Sequence, residues 1–311
     1  MDKIIQVNSV SQNFFVKDPN RLAYYIPVKA LEDITFDVIR NTTLSIVGES
    51  GSGKTTIGNI VLGAIKPTKG DVLWYGKSIF NKQVKKDYLK IIHTVSQNPL
   101  SSLNPRMNVK SIITEPLLFR EKLSNKEAED RIAKVVEDVK LSKDILYKYP
   151  HELSGGEKQR VSIARSIISQ PSIIVLDEPV SSLDVSIRAQ ILNLLVDIKA
   201  RYGLTYIYIS HDISTTRFIS DYLLVLYKGR IMEIGNSESI FSNPTNPYTR
   251  FLLSSVPNQK IVEEFKTLER EEESKGCPFY NRCPIATSIC KTTFPDKKII
   301  KENHISYCHN I

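Results

Sequence analysis

No apolar run in this 311-residue chain approaches the length of a membrane-spanning helix, which excludes a helical membrane span. The first residues, Met1-Asp2-Lys3-Ile4-Ile5-Gln6, lack the basic segment and apolar core of a secretory leader, so a cytosolic chain is expected. Cysteine is missing from residues 1–276; all four, Cys277, Cys283, Cys290 and Cys308, lie near the C-terminus. Structural disulfides are rare in a cytosolic chain, so this late group of thiols points to a metal or cluster site. The charge has no strong focus either. The net charge is +8, but the densest patch, Lys82, Lys85, Lys86 and Lys90, reads as a solvated surface, and no nucleic-acid partner is expected. What remains is ordinary for a soluble globular protein, with 41% hydrophobic and 24% charged residues, and a length suited to one large domain or two smaller ones.

One stretch is far from ordinary. Gly48-Glu49-Ser50-Gly51-Ser52-Gly53-Lys54-Thr55 reads G-x-x-x-x-G-K-[ST], the phosphate-binding loop. Glycines let the backbone turn tightly and aim its N–H groups at phosphate oxygens. Lys54 is placed to reach the β- and γ-phosphates, and the Thr55 hydroxyl to bind Mg²⁺. The flanks agree, because Thr43 to Val47 is a short apolar, β-rich run and Thr56 to Ala64 reads as a helix whose N-terminus would face the phosphates.

The rest of the chain supplies a setting. Residues 3–46 read as strands and turns, with residues 17–27 a polar loop and Ile34, Phe36 and Val38 alternating on a half-buried strand. Phe14-Phe15-Val16 is an aromatic patch ahead of the loop, whose spacing alone favours a core role. Asp71 to Gly76 and Ile91 to Val95 read as strands, and Gln97 follows the second. Residues 109–148 read as helical, with Ile132, Val135, Val136 and Val139 on one face. Ser154 is well placed to cap a helix, and Gly155 and Gly156 expose its amides.

A buried strand from Ser172 to Leu176 ends in Asp177-Glu178-Pro179. Carboxylates at the C-terminal end of a central strand point to chemistry, because ligands of open α/β sheets bind there. Beside a phosphate loop they read as an Mg²⁺-binding aspartate followed by a base. Val185 to Tyr202 is a helix ended by Gly203, and Thr205 to Ile209 is a strand leading to His211. Tyr222 to Leu226 and Arg230 to Ile234 form a hairpin around Lys228-Gly229. Residues 257–276, acidic and weakly apolar, read as a linker before the cysteine-bearing residues 277–311.

The phosphate loop, Gln97, Leu153-Ser154-Gly155-Gly156-Glu157, Asp177-Glu178, the Ser181 to Asp184 loop and His211 together resemble the ATPase subunit of an ATP-binding-cassette transporter. Val95 to Arg106, Tyr149-Pro150-His151-Glu152 and Asn246-Pro247-Tyr248-Thr249 look like its oligopeptide/dipeptide permease branch. Residues 17–27 and Leu62 to Gly70 resemble the second of that branch's two ATPase subunits. The resemblance implies an α/β fold. A P-loop ATPase core with an antiparallel β subdomain would occupy residues 1–256, with an inserted helical subdomain at about 98–165.

It also implies roles. Gly48, Ser50, Gly51, Ser52, Gly53, Lys54, Thr55 and Thr56 would hold ATP and Mg²⁺, and Phe14 (Phe15 as fallback) would stack on adenine. Gln97 would sense Mg²⁺ and water, Asp177 would support Mg²⁺, Glu178 would polarise the attacking water and His211 would contact the γ-phosphate. Ser154, Gly155 and Gly156 would close over ATP bound to a second ATPase subunit. Glu157 departs from the Gln most frequent there, with little effect expected. Partners implied are that second subunit, making a heterodimer, two transmembrane permease subunits and an external substrate-binding protein, with the chain at the cytoplasmic face of the membrane. Peptides are the default cargo, with nickel or sugars as alternatives. A soluble ATPase of DNA repair or translation would carry a long coiled coil or a second cassette, and neither is present. A scaffold that binds ATP without turnover would not need Lys54, Asp177, Glu178 and His211 together.

The cysteine spacing, Cys277-x₅-Cys283-x₆-Cys290-x₁₇-Cys308, lacks the tight pairs usual for zinc. All-thiolate ligation is what iron–sulfur clusters use. His304 and His309 keep zinc open. The branch resemblance implies a [4Fe–4S] site on the four cysteines.

Overall fold

Alternating and continuous apolar runs set out the strands, and capped amphipathic runs set out the helices. The structure, a computed structural model, describes residues 2–17, 25–98, 102–118, 124–254, 256 and 274–311. In chain order it contains Lys3–Lys17 (β1), Tyr25–Ile39 (β2), Thr43–Val47 (β3), Lys54–Val61 (α1), Lys69–Trp74 (β4) and Lys77–Ser78 (β5). Lys82–Ile91 (α2), Ile92–Val95 (β6), Val109–Leu118 (α3), Asn125–Asp138 (α4), Gly155–Ile167 (α5), Ile173–Asp177 (β7), Val185–Tyr202 (α6) and Thr205–Ser210 (β8) follow. The C-terminal part holds Ile213–Ile219 (α7), Tyr222–Tyr227 (β9), Arg230–Asn236 (β10), Ser237–Ser242 (α8), Pro247–Ser254 (α9), Ser288–Thr292 (α10), Lys297–Lys301 (β11) and His304–Tyr307 (β12). The chain divides into two units, Met1–Phe80 with Ile209–Ile311, and Asn81–Tyr208.

In the first unit, β2, β1, β4 and β5 form an antiparallel sheet in that order. A second run of strands has the order β11-β12-β10-β9-β3. There β3 and β9 are parallel, and β3 is buried at every residue, which is why it reads as an unbroken apolar run rather than an alternating one. The expected loop at 17–27 is corrected at both ends. Lys17 pairs with Tyr25 and Phe15 with Pro27, so aromatic and β-branched side chains extend both strands, while residues 18–24 lie outside the described residues. Of the expected linker, residues 257–273 also lie outside them.

The cysteine-bearing segment is built into this unit. β12 adds to β10, and β11 to β12, both antiparallel. Phe279 and Cys283 share one apolar core with Val47, Val225, Tyr227 and Tyr248. A buried hydrogen bond fastens the strand: His304 Nε2 lies 2.7 Å from Glu233 Oε1, and the side chains are 1% and 0% exposed. Glu233 also accepts from Thr245 N and Oγ1 and from Asn246 N, and Asn246 Nδ2 donates to the Tyr307 carbonyl at 2.9 Å. A buried carboxyl group demands this many partners, since a polar group left unpaired in an apolar medium is costly.

In the second unit, β6 and β7 are parallel and β8 lies beside β7. The predicted stripe Ile132, Val135, Val136 and Val139 is buried. The expected helical stretch 109–148 is broken, however. Ser124 opens α4 with a capping box to Glu127, Lys140 closes it at φ 58°, and Lys143–Tyr147 is a 3₁₀ turn. The lysine patch falls on α2, where Tyr88 is the buried residue and Lys90 pairs with Asp87 at 2.7 Å.

Candidate nucleotide and cysteine sites

The phosphate loop joins buried β3 to α1. Gly53 caps α1 at φ 105° with no side-chain cap, so no cap side chain competes with an external acceptor for the first helix amides. A Cβ at Gly53 would meet Leu31 Cδ2 at 2.7 Å and the Ala30 carbonyl oxygen at 2.8 Å, and one at Gly48 would land on the Leu226 carbonyl oxygen. These positions are glycine because other backbone already occupies the space. Lys54 is buried, and its Nζ donates to the carbonyls of Gly48 at 2.8 Å and Glu49 at 2.9 Å. The ammonium is therefore held over the loop that it would share with phosphate. Ser50, Gly51 and Thr55 are exposed, Thr56 is half-buried, and Ser52 is buried.

Phe14 and Phe15 lie on the far part of β1, opposite Val28 and Pro27, both exposed and in the same unit as the loop. This overturns the spacing-based core reading of the patch. His211, also of this unit, follows β8 and is exposed.

In the second unit Asp177 ends β7, and Glu178 takes a left-handed backbone, φ 47°, which is rare for a side chain of its size. Gln97 Nε2 donates to Glu178 Oε2 at 2.8 Å. Ser154 caps α5; it donates N–H to Glu157 Oε2 at 2.8 Å, and Glu157 N–H returns to Ser154 Oγ at 3.3 Å. The Ser154 N–H, first, and the Ser154 hydroxyl, which donates to the same Oε2 at 2.8 Å, hold the Glu157 carboxyl below its usual range. Glu157 thus completes a capping box that Gln would also complete. Gly155 and Ser154 are exposed, and a Cβ on Gly156 would press on Ile187 Cγ2 at 2.9 Å. Asp184 caps α6 through Ile187 N–H at 3.0 Å.

None of the four cysteines is in a disulfide, and all line one small cavity with Met232, Phe279 and His309. Burial, first, and the three neighbouring sulfurs push the Cys277 thiol up to about 12. Among the described residues no group of three or more His, Cys, Asp or Glu is placed to hold a single metal ion. His304 is corrected as a zinc candidate, because both ring nitrogens are engaged, Nε2 with Glu233 and Nδ1 with Ser239 at 3.1 Å.

Sequence reasoning missed the residues that join tail to loop. Arg282 Nη1 donates to both carboxylate oxygens of Glu49, at 2.8 and 3.0 Å, and the Tyr248 hydroxyl accepts the Glu49 N–H at 3.0 Å. Tyr248 lies in the Asn246 to Thr249 run already singled out; nothing in the sequence marks Arg282.

Residues 31–181 match the family model described as ABC transporter, and residues 232–290 the one described as Oligopeptide/dipeptide transporter, C-terminal region. The oligopeptide transport ATP-binding protein AppF of Bacillus subtilis (strain 168) is 38% identical over 320 residues, covering 99% of this chain and 97% of its own. The dipeptide transport ATP-binding protein DppF of Haemophilus influenzae is 41% identical, covering 91% of this chain and 90% of its own. Among solved structures, cbiO1 of Clostridium perfringens, part of the ABC transporter complex cbiONQ, aligns with a TM-score of 0.67 at 26% identity, over 78% of this chain and 92% of that one. The dimeric post-hydrolysis structure of the ATP-binding cassette MJ0796, bound to ADP and Pi, aligns at 0.65 and 27%, over 75% and 98%.

Proposed function

The chain belongs to the ATP-binding subunits of the oligopeptide/dipeptide branch of ABC transporters, and from that premise we propose that it hydrolyses ATP to drive import of short peptides. The observation that carries the reading is the uncapped, glycine-lined loop over buried Lys54, in a chain matched along its length by an oligopeptide transport ATP-binding protein. The α1 amides and Lys54 take the phosphates. Mg²⁺ is a hard cation that prefers oxygen, and Thr55, Asp177 and the amide oxygen of Gln97 are oxygen donors suited to it. When bound it neutralises charge on the phosphates. Glu178 polarises the attacking water, His211 contacts the γ-phosphate and Phe14 stacks on adenine.

Ser154, Gly155 and Gly156, at the start of α5, close over ATP on a second ATPase subunit, which we take to be of a different sequence; that the MJ0796 cassette is dimeric supports the pairing of two ATPase subunits. Residues 1–256 act as the nucleotide-binding domain. Among the described residues no helix is long and apolar enough to cross a membrane. The likeness to peptide-transport ATP-binding proteins supports partnership with two permease subunits and an external binding protein. The helical subdomain at about 98–165 is the part we assign to contact with the permease subunits.

The four cysteines fit a [4Fe–4S] cluster by chemistry, being all thiols outside any disulfide and gathered on one cavity. A cluster spaces its thiolates more widely than one ion does, which accords with the lack of a single-ion site. Bound there, it supplies a cross-link among segments of the tail. Anaerobic purification should give brown protein containing iron and sulfide; a colourless, zinc-loaded preparation would sink this assignment. For the main reading, the assembled transporter in vesicles should take up peptide with ATP turnover. Glu178→Gln should cut turnover by about 10²-fold or more while ATP still binds. Unchanged turnover removes Glu178 from the chemistry, and uptake of nickel or sugar but not peptide overturns the cargo.

A further inference from the structure

Glu49 poses an electrostatic problem. It is an anion inside an anion-binding loop, between Gly48 and Ser50. Its charge opposes the phosphates that the loop amides and Lys54 attract. Arg282, from the cysteine-bearing tail 233 residues away, meets that carboxylate with one nitrogen against both oxygens. The guanidinium is itself held, 4.4 Å above the Phe251 ring and 5.7 Å from that of Phe279. Tyr248, packed 5.2 Å from Phe279, accepts the backbone N–H of the same Glu49. The Glu49 carbonyl in turn is one of the two that Lys54 holds. Side chain, N–H and carbonyl of one loop residue are thus each tied down, two of the three from the aromatic bed of Phe279.

We propose that Arg282 is a positioning residue for ATP binding: it neutralises Glu49 and fixes the loop, so that the tail sets the affinity of the phosphate site. Two effects act together. A neutralised Glu49 no longer repels the incoming phosphates. A loop held from outside keeps its amides aimed when Lys54 exchanges the Gly48 and Glu49 carbonyls for phosphate oxygens. Both partners are about one-third exposed, which limits the effect through solvent screening.

The inference rests on ATP binding at this loop, and the experiment keeps the two claims apart. KM for ATP and kcat are measured in the assembled transporter for Arg282→Met, Arg282→Lys, Glu49→Gln and the double variant R282M/E49Q, with Lys54→Ala as control. Arg282→Met, which keeps an apolar stem on Phe251, should raise KM about three- to tenfold, with kcat changed by less than about twofold. In the Glu49→Gln background the same change should raise KM by less than about twofold, because no carboxylate remains to neutralise. Added salt should narrow the gap between wild type and R282M. If R282M does not fold, R282K carries the test with a smaller shift and the same dependence on Glu49. A merely structural Arg282 would lower Tm and the active fraction, leaving KM alone. Unchanged KM, or an equal rise with and without Glu49, overturns the proposal. Retained ATP binding in K54A overturns the site reading instead.

Discussion

α1 and α5 begin in opposite ways. Both starts are glycine-bearing and both are assigned to phosphate. Yet α1 opens on Gly53 with no side-chain cap and no acidic residue in its first turn. α5 opens on Ser154 with a complete capping box and the Glu157 carboxylate already on its amides. Helix N-termini seek negative charge. One end leaves that need for a ligand, and the other meets it within the chain. The first is braced by the buried Lys54, and the second is exposed at Ser154 and Gly155. A brace suits a site that must hold ATP by itself. A self-capped, exposed end suits one that is stable alone and meets its phosphate only when another subunit brings it.

The sharpest break in this comparison is Lys54→Ala. Removing the braced ammonium should lower kcat of the assembled transporter by about 10²–10³-fold, read by phosphate release. Next comes Gly53→Ala, which forces a Cβ onto Ala30 and Leu31 at φ 105°. It should cost about 1–3 kcal/mol in denaturant unfolding, with loss of ATP binding. At the capped end, Ser154→Ala should cost about 1 kcal/mol in the same unfolding measurement.

The smallest effect is in pH. Glu157 titrates below its ordinary 4.5 in the folded chain, because the Ser154 N–H and hydroxyl favour the carboxylate. Its contribution is therefore present above pH 4.5 and lost as the pH falls through the lowered value. Tm of the wild type should drop more steeply than that of Glu157→Gln over this acid range, and parallel curves would show that the box carries no charge-dependent stability.

The two helix ends were also unequally legible. The phosphate loop can be read in eight contiguous residues, because backbone turn, amide array, ammonium and hydroxyl must follow one another along the chain. Ser154 and Glu157 are legible for the same reason, since a cap bonds across three residues. The stripe on α4 follows from helical period, and the buried strands β3 and β7 from unbroken apolar runs. The extension of β1 and β2 toward residues 17 and 25 was hidden, because polar Asn and Lys among the aromatics look like a loop until each strand is seen to pair with the other.

What the sequence determined by itself was the nucleotide chemistry and the family, through short motifs whose spacing is dictated by local geometry. The thiols were legible as a group, but not their surroundings. Tertiary structure alone decided that the tail is part of the same body as the loop. β12 adds to β10, His304 meets buried Glu233, and Arg282 reaches Glu49 across 233 residues. Such pairings depend on strand register and on which side chains a shared core brings together. Neither property recurs with any period along the chain, so no stretch of sequence near Arg282 announces the loop that it holds.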